Sequence, residues 1–290
     1  MNTLIKLIGL GLSIDLLPIG VLLRLLSCER IYMDTYTSNW FPSIYDLANI
    51  LKQFGIEVIM AKRKDLEGGS INKIVEEAKL SNICIAVIGD PLIATTHSAI
   101  TVEALSKNVE VEVLPASSIL NTAISLSCLQ VYRFGKTVTI VKPKNGVLYE
   151  YPLQVIKMNR DRDLHTLTLL EIDLEQEYYM TPKEAIELLL IIQKNTNNNV
   201  LNEKDKIIVL KAIGFENGSI EVMSVEEILG KEFEKTLYTL IIPAKTLHPI
   251  EEECLRNIGK ILIKPQLNIN MLESIIKIIA DNMKQKLYNI

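Results

Sequence analysis

Ile83-Cys84-Ile85-Ala86-Val87-Ile88-Gly89-Asp90-Pro91 is an unbroken apolar run closed by a glycine, an acid and a proline. Six consecutive apolar residues, most of them β-branched, predict a strand buried on both faces, as in a parallel sheet covered by helices. The run Leu4–Ile8, which also ends in a glycine, has the same form. Working outward, helix-like and strand-like stretches alternate. The pattern predicts helices over Ile44–Phe54, Ile71–Leu80 and Thr96–Lys107, and strands over Glu57–Ala61 and Val109–Leu114. A second series follows: helices over Ser118–Leu129, Thr181–Lys194 and Asn268–Lys286, and strands over Lys136–Val141, Leu164–Ile172, Lys206–Leu210 and Leu237–Ile242. Thr181, Pro182 and Glu184 have the order of a capping box with proline in the first turn. Repeated βα units imply an α/β fold with mainly parallel or mixed sheets. The series is too long for one sheet, so two α/β domains are expected: residues 1–120, and residues 121–290 with an extra C-terminal helical tail.

The chain has 290 residues, of which 48% are hydrophobic and 23% charged, enough apolar mass for large cores. The net charge of −4 argues against a general field for nucleic acid, and Lys142 to Lys144 read as a solvated loop. Four cysteines stand at 28, 84, 128 and 254 without a CxxC spacing, and they are expected to be reduced core residues. Three histidines and this cysteine pattern point to no metal. The apolar stretch Leu4–Leu26 is broken by Gly9, Gly11, Asp15, Pro18, Gly20 and Arg24, so a strand, turn and helix explain it better than a membrane span. A cytoplasmic protein is the expectation.

In an open parallel sheet, ligands bind beyond the carboxyl ends of the strands. Three loops fall there. Gly9-Leu10-Gly11-Leu12 lets the backbone approach a ligand or a neighbouring strand, but Ile14 stands where GxGxxG needs its third glycine. Gly89 to His97 offers Asp90 to hydroxyls or a cation, although Asp90 or Thr95 could instead cap the next helix. Pro115-Ala116-Ser117-Ser118-Ile119 offers free amides at a helix start, with a plain Ser N-cap as the equal alternative. Gly135-Lys136-Thr137 imitates the end of a phosphate loop, but Gln130 occupies the first glycine position. Asn217-Gly218-Ser219 reads as a turn.

These loops resemble the diphthine synthase branch of the tetrapyrrole-methylase-like methyltransferases. The resemblance rests on Leu7-Ile8-Gly9-Leu10-Gly11-Leu12, Asp34-Thr35-Tyr36-Thr37-Ser38, Gly89 to His97 and Leu129 to Lys136. Leu164 to Leu167, Met180-Thr181 and Thr246-Leu247-His248-Pro249 complete it. It implies a homodimer of two-domain subunits, with S-adenosylmethionine folded in a cleft between the domains. The cofactor contacts it implies are Leu12, Asp90, Ile93, Ser118, Ile119, Leu170, Ile213 and Tyr238, the last standing where the family usually has His. The implied activity is methylation of the 3-amino-3-carboxypropyl group on a modified histidine of translation elongation factor 2. Tyr36, Thr37, Thr96, His97 and His248 are candidates for the acceptor side, with no base assigned. Two alternatives stand beside this reading: a methylase of tetrapyrrole or corrinoid precursors, and a non-catalytic S-adenosylmethionine-binding protein of the same fold.

Overall fold

The computed structural model describes residues 4–261 and 264–288. The chain forms two units, Met1–Ser118 with Pro265–Ile290, and Ile119–Lys264.

The first unit carries β1 (Leu4–Gly9), α1 (Ile19–Leu25), β2 (Arg30–Asp34), α2 (Ile44–Gln53) and β3 (Glu57–Ala61). It continues with α3 (Arg63–Leu66), α4 (Ser70–Glu77), β4 (Ile83–Val87), α5 (Ser98–Ser106) and β5 (Glu110–Leu114). Its strands make one sheet in the order β3-β2-β4-β1-β5, with every pairing parallel. The apolar run at 83–87 is central and buried throughout, as a strand covered on both faces must be. Alternate side chains of β1 enter different cores: Ile8 packs with α1 and α2, whereas Ile5 and Leu7 pack with α4 and α5. The sequence pattern did not single out β2, whose Arg30 and Tyr32 hide its apolar register. Their polar ends are occupied by Glu77.

The second unit carries α6 (Ile119–Leu126), β6 (Val138–Ile140), α7 (Tyr151–Arg160), β7 (Thr166–Leu170), β8 (Ile172–Asp173) and β9 (Tyr178–Tyr179). Then follow α8 (Pro182–Asn195), β10 (Lys206–Lys211), β11 (Ser219–Ser224), α9 (Val225–Gly230), β12 (Tyr238–Ile242) and α10 (Pro249–Arg256). The sheet order is β11-β10-β12-β7-β6. Only β6 runs parallel to its neighbour, β7, so this sheet is mixed. Thr181 caps α8 by accepting the amide of Glu184 at 3.2 Å. The expected reciprocal half of the box is replaced, because Glu184 accepts the Tyr178 hydroxyl at 2.6 Å instead.

Two expectations are corrected. The tail, expected with the C-terminal domain, belongs to the first unit as α11 (Ile269–Tyr288). Its Leu272 and Ile276 enter the core that holds Leu10, Ile14 and Leu25. The Asp15 carboxylate accepts the amides of Gln266 and Leu267 at 2.7 and 2.9 Å. The domain change itself falls between Ser118 and Ile119. The cysteines, expected to be reduced, form the disulfides Cys28–Cys84 and Cys128–Cys254. Their sequence separations of 56 and 126 residues carry no motif. The pairs meet only through tertiary structure, Cys84 on β4 beside the entry to β2 and Cys254 on α10.

Candidate functional site

In the first sheet, the connection from β1 leads to β2 on one side, and that from β4 leads to β5 on the other. Neighbouring β4 and β1 therefore mark the topological switch point, where the loops at the carboxyl ends diverge and leave a crevice. The two glycine loops lie there and are joined to each other. Gly11 and Gly89 exchange backbone hydrogen bonds of 3.2 and 2.9 Å. Both have positive φ, +69° and +79°, which glycine adopts without strain. A Cβ on Gly9 would stand 2.7 Å from both the Ala116 Cβ and the Gly89 carbonyl oxygen, so the third loop is pressed against the first two. A Cβ on Gly89 would have room, with Ser118 Cα at 3.8 Å and Leu12 Cδ2 at 3.9 Å.

Asp90 is buried, and its carboxylate organises this loop set. Oδ1 accepts the amides of Leu92 and Ile93 at 2.9 and 3.1 Å, and Oδ2 accepts that of Ala116 at 3.2 Å. Asp90 does not cap the next helix, α5, which begins at Ser98; its carboxylate binds amides of its own loop and of the loop after β5. A carboxylate has about four acceptor positions, so Oδ2 keeps capacity for one further donor. Ile93 is 43% exposed at the loop tip, and Ser118 is buried beside Gly89. The structure brings Leu12, Asp90, Ile93 and Ser118 to one end of one sheet.

The other contacts carried over by resemblance lie in the second unit. Ile119 opens α6. Leu170 ends β7, Tyr238 begins β12 and Ile213 follows β10. The register pairs Lys211 with Tyr238 and Leu169 with Thr239, so Leu170, Ile213 and Tyr238 share one end of the mixed sheet. The Tyr238 ring packs edge-on against Phe233, with centroids 5.7 Å apart. It also lines a small pocket with Lys211, Glu221 and Glu234. Burial, and then the charges of Glu234 and Glu221, push its hydroxyl up to about 12.

The acceptor-side candidates divide four to one. Tyr36, Thr37, Thr96 and His97 cluster in the first unit, on the loops after the adjacent strands β2 and β4. Asp34, at the end of β2, accepts the amides of Tyr36 and Thr37 at 2.9 and 3.2 Å and the Thr37 hydroxyl as well. His248 lies in the second unit, where its ring caps α10 by accepting the Ile250 amide at 3.3 Å. A further group there was not legible in the sequence. Glu251 is fully buried and accepts from the Gln130 amide (2.9 Å), the His248 amide (2.9 Å), Arg133 (2.7 Å) and His165 Nε2 (3.2 Å). Burial would raise its carboxyl, but these donors outweigh it and hold Glu251 below the usual carboxylate range. Gln130, Arg133, His165 and His248 come from three of the motifs quoted above, and buried Glu251 joins those motifs. Lys142 lies over the Tyr178 ring at 4.1 Å, in keeping with a loop role. Among the described residues, no cluster of His, Cys, Asp or Glu has the arrangement of a metal site, and no helix is long and apolar enough to cross a membrane.

A family model described as tetrapyrrole (corrin/porphyrin) methylases matches residues 5–229. The chain belongs to the tetrapyrrole methylase family, in its diphthine synthase branch. The diphthine synthase of Staphylothermus marinus is 40% identical over 247 residues, covering 84% of this chain and 89% of that protein. The diphthine synthase of Saccharolobus solfataricus is 36% identical over 254 residues, covering 88% and 98%. A crystal structure of a diphthine synthase superposes with a TM-score of 0.77 at 31% identity, covering 89% of this chain and 96% of that one. A conserved hypothetical protein from Aeropyrum pernix gives the same TM-score at 26% identity over 99% of this chain. The model match runs from β1 into α9, so it takes in both the switch-point loops and most of the mixed sheet of this diphthine synthase relative.

Proposed function

We propose that the chain uses S-adenosylmethionine to methylate the diphthamide precursor on translation elongation factor 2. The observation that carries the reading is the joined loop set at the switch point, Gly9–Leu12 with Gly89–Ile93, in a chain whose relatives across most of its length are diphthine synthases. The residues fit the cofactor on the side of the first unit. The space beside Gly89 that a Cβ would fill is flanked by the Leu12 side chain and the Ser118 backbone. Such a glycine-floored cradle with one apolar wall suits the flat edge of a nucleoside.

When bound, the cofactor supplies a methyl group already activated by its sulfonium, so the chain's tasks are positioning and exclusion of water. Asp90 fixes the shape of the loop and keeps one acceptor position on Oδ2 for a donor on the ligand. Leu12 and Ile93 present apolar surface beside it. Leu170, Ile213 and Tyr238 are proposed as contacts from the second unit, with the Tyr238 hydroxyl protonated at neutral pH and able to donate. Tyr36, Thr37 and Thr96 are proposed to face the acceptor. His248 stays in this set as the candidate from the second unit. The reading carries with it a cytoplasmic homodimer with elongation factor 2 as its protein substrate and no contact to nucleic acid or membrane.

The test is mass spectrometry of the modified histidine of the elongation factor after incubation with the chain and S-adenosylmethionine. Mass increments of whole methyl groups on that residue are expected. An unmodified histidine, together with no heat of binding for the cofactor, would end the proposal.

A further inference from the structure

Asp34 and His97 are both fully buried, on the loops that follow the neighbouring strands β2 and β4. Tyr36 is buried as well, 4% exposed. His97 Nε2 lies 3.2 Å from the Tyr36 hydroxyl and 4.0 Å from Asp34 Oδ2. The same hydroxyl lies 3.5 Å from Oε1 of half-buried Glu67, which also accepts from the Thr96 hydroxyl at 2.8 Å and from Arg63 at 3.1 Å. Arg63 sits over the Tyr36 ring, 4.9 Å from its centroid. Four titratable groups from three segments thus run inward: Glu67, Tyr36, His97, Asp34. Buried imidazole nitrogens are normally hydrogen-bonded, because an orphan costs its desolvation. His97 Nδ1 is buried and makes no hydrogen bond. The Pro91 carbonyl is the backbone acceptor that acts on this ring, and Nε2, 3.2 Å from the Tyr36 hydroxyl, is placed to accept the Tyr36 proton and to return it.

Resting on the function proposed above, we propose that this line is the proton relay of the methyltransferase, with the Tyr36 hydroxyl as the group that meets the acceptor amine. His97, Asp34 and Glu67 act through Tyr36 as positioning residues. An ammonium cannot attack a methyl carbon; it must first lose a proton. The acceptor nitrogen gives that proton to the Tyr36 oxygen while the Tyr36 hydroxyl proton passes to His97 Nε2. The nitrogen lone pair then forms the N–C bond as the donor's S–C bond breaks, its electron pair remaining on sulfur. The imidazolium, stabilised by Asp34 at 4.0 Å, returns its proton through Tyr36 to Glu67 and water. The surroundings suit each role. Burial holds His97 below the usual imidazole range, so it starts neutral, while Asp34, the Pro91 carbonyl and Glu67 favour its charged form. Burial and then the Asp34 charge hold the Tyr36 hydroxyl well above its ordinary range, so it passes protons without ionising.

The experiment is single-turnover methyl transfer to the elongation factor between about pH 4.5 and 10, a range that reaches below the ordinary imidazole value, with S-adenosylmethionine binding measured alongside by calorimetry. Tyr36→Phe keeps the ring under Arg63 and is expected to lower the methyl-transfer rate about 100-fold at pH 7, the usual scale of acid–base assistance. Cofactor affinity should stay within about threefold, and the deficit should shrink as pH rises and hydroxide takes over proton removal. His97→Gln should abolish the inflection of the wild-type pH profile, and Asp34→Asn should move it to lower pH. A Tyr36→Phe deficit that is equal at every pH, or no deficit at all, overturns the relay. So does a wild-type rate that is flat across the range, a result that needs no variant to fold. Wild-type chain that transfers no methyl group overturns the functional reading itself, which keeps the two failures distinct.

Discussion

At the scale of single residues, the joined loops at the switch point depend on the missing side chain of Gly9. Its hydrogen points at the Ala116 Cβ and the Gly89 carbonyl oxygen, each 2.7 Å from where a Cβ would be. Both neighbours are fixed: Gly89 by its bonds to Gly11, and Ala116 by the Asp90 carboxylate. Gly9→Ala must push the loops apart, and forced overpacking of this kind costs about 1–3 kcal/mol. Urea unfolding should show that loss, and calorimetry should show S-adenosylmethionine binding weakened at least about tenfold, since about 1.4 kcal/mol is a factor of ten. Unchanged affinity in a destabilised variant would remove these loops from the cofactor site. Asp90→Ala tests the same place from the other side. It orphans the amides of Leu92, Ile93 and Ala116, and each unsatisfied buried amide costs about 1–3 kcal/mol. Both variants should therefore loosen the same loop set.

At the scale of elements, what was legible followed from periodicity, and what was not followed from partners distant in sequence. The strand at 83–87 and the capped helix from Pro182 could be read because burial on both faces and helix caps leave local signatures. Strand β2 could not, because Arg30 and Tyr32 are matched by Glu77, which is 47 and 45 residues away. The three loops after β1, β4 and β5 could be grouped from the sequence because a parallel sheet gathers its carboxyl-end loops at one edge. The relay was only half legible: Tyr36 and His97 lie in recognisable motifs, whereas Glu67 reaches them from α3 through side chains alone. Glu251 shows the same limit in the second unit. It joins α10 to the segments at Gln130–Arg133 and His165, more than 80 residues away. Removing one partner of a buried charged network costs about 3–5 kcal/mol, so Glu251→Ala should destabilise the second unit by roughly 3 kcal/mol, a value at the low end because Arg133 keeps Asp163. The pH dependence has a definite sign. Burial lowers the His165 imidazole despite Glu251, so the unfolded chain binds its proton first. Stability from this neutral histidine is full above the unfolded value near 6.5 and falls as pH drops below it. His97 acts in the same direction, whereas buried Asp34, whose carboxyl is raised, acts in the opposite one. Urea midpoints in the wild type should fall between pH 7.5 and 5.5. A midpoint that rises over that interval would show that the histidines are not held neutral.

At the scale of the whole molecule, each of the two units holds one disulfide: Cys28–Cys84 in the first and Cys128–Cys254 in the second. Each closes a long loop, of 56 and 126 residues of separation, so each restricts the unfolded chain strongly. Such crosslinks contribute about 2–4 kcal/mol apiece. For a unit of this size, 1 kcal/mol moves the melting temperature by about 4 °C, so losing one bridge should lower it by roughly 10 °C. Because the bridges do not cross between units, their effects should separate. Cys28→Ser should lower the melting of the first unit, which contains α11 and the glycine loops, and leave the Glu251 network of the second untouched. Cys128→Ser should do the reverse, and the double variant should show the sum, as expected for distant sites. The same comparison bears on function, because the Cys28–Cys84 bridge joins the entry of β2 to β4, the two strands whose far ends carry Asp34 and His97. A crosslink at one end of paired strands steadies their spacing at the other, so reduction should weaken methyl transfer before it unfolds the chain. The measurement is scanning calorimetry and methyl-transfer rate with and without a phosphine reductant, preceded by thiol titration of the denatured, unreduced protein. No titratable thiol is expected; four thiols per chain would mean that the cysteines are simply buried and reduced, and the two melting shifts would vanish with the bridges.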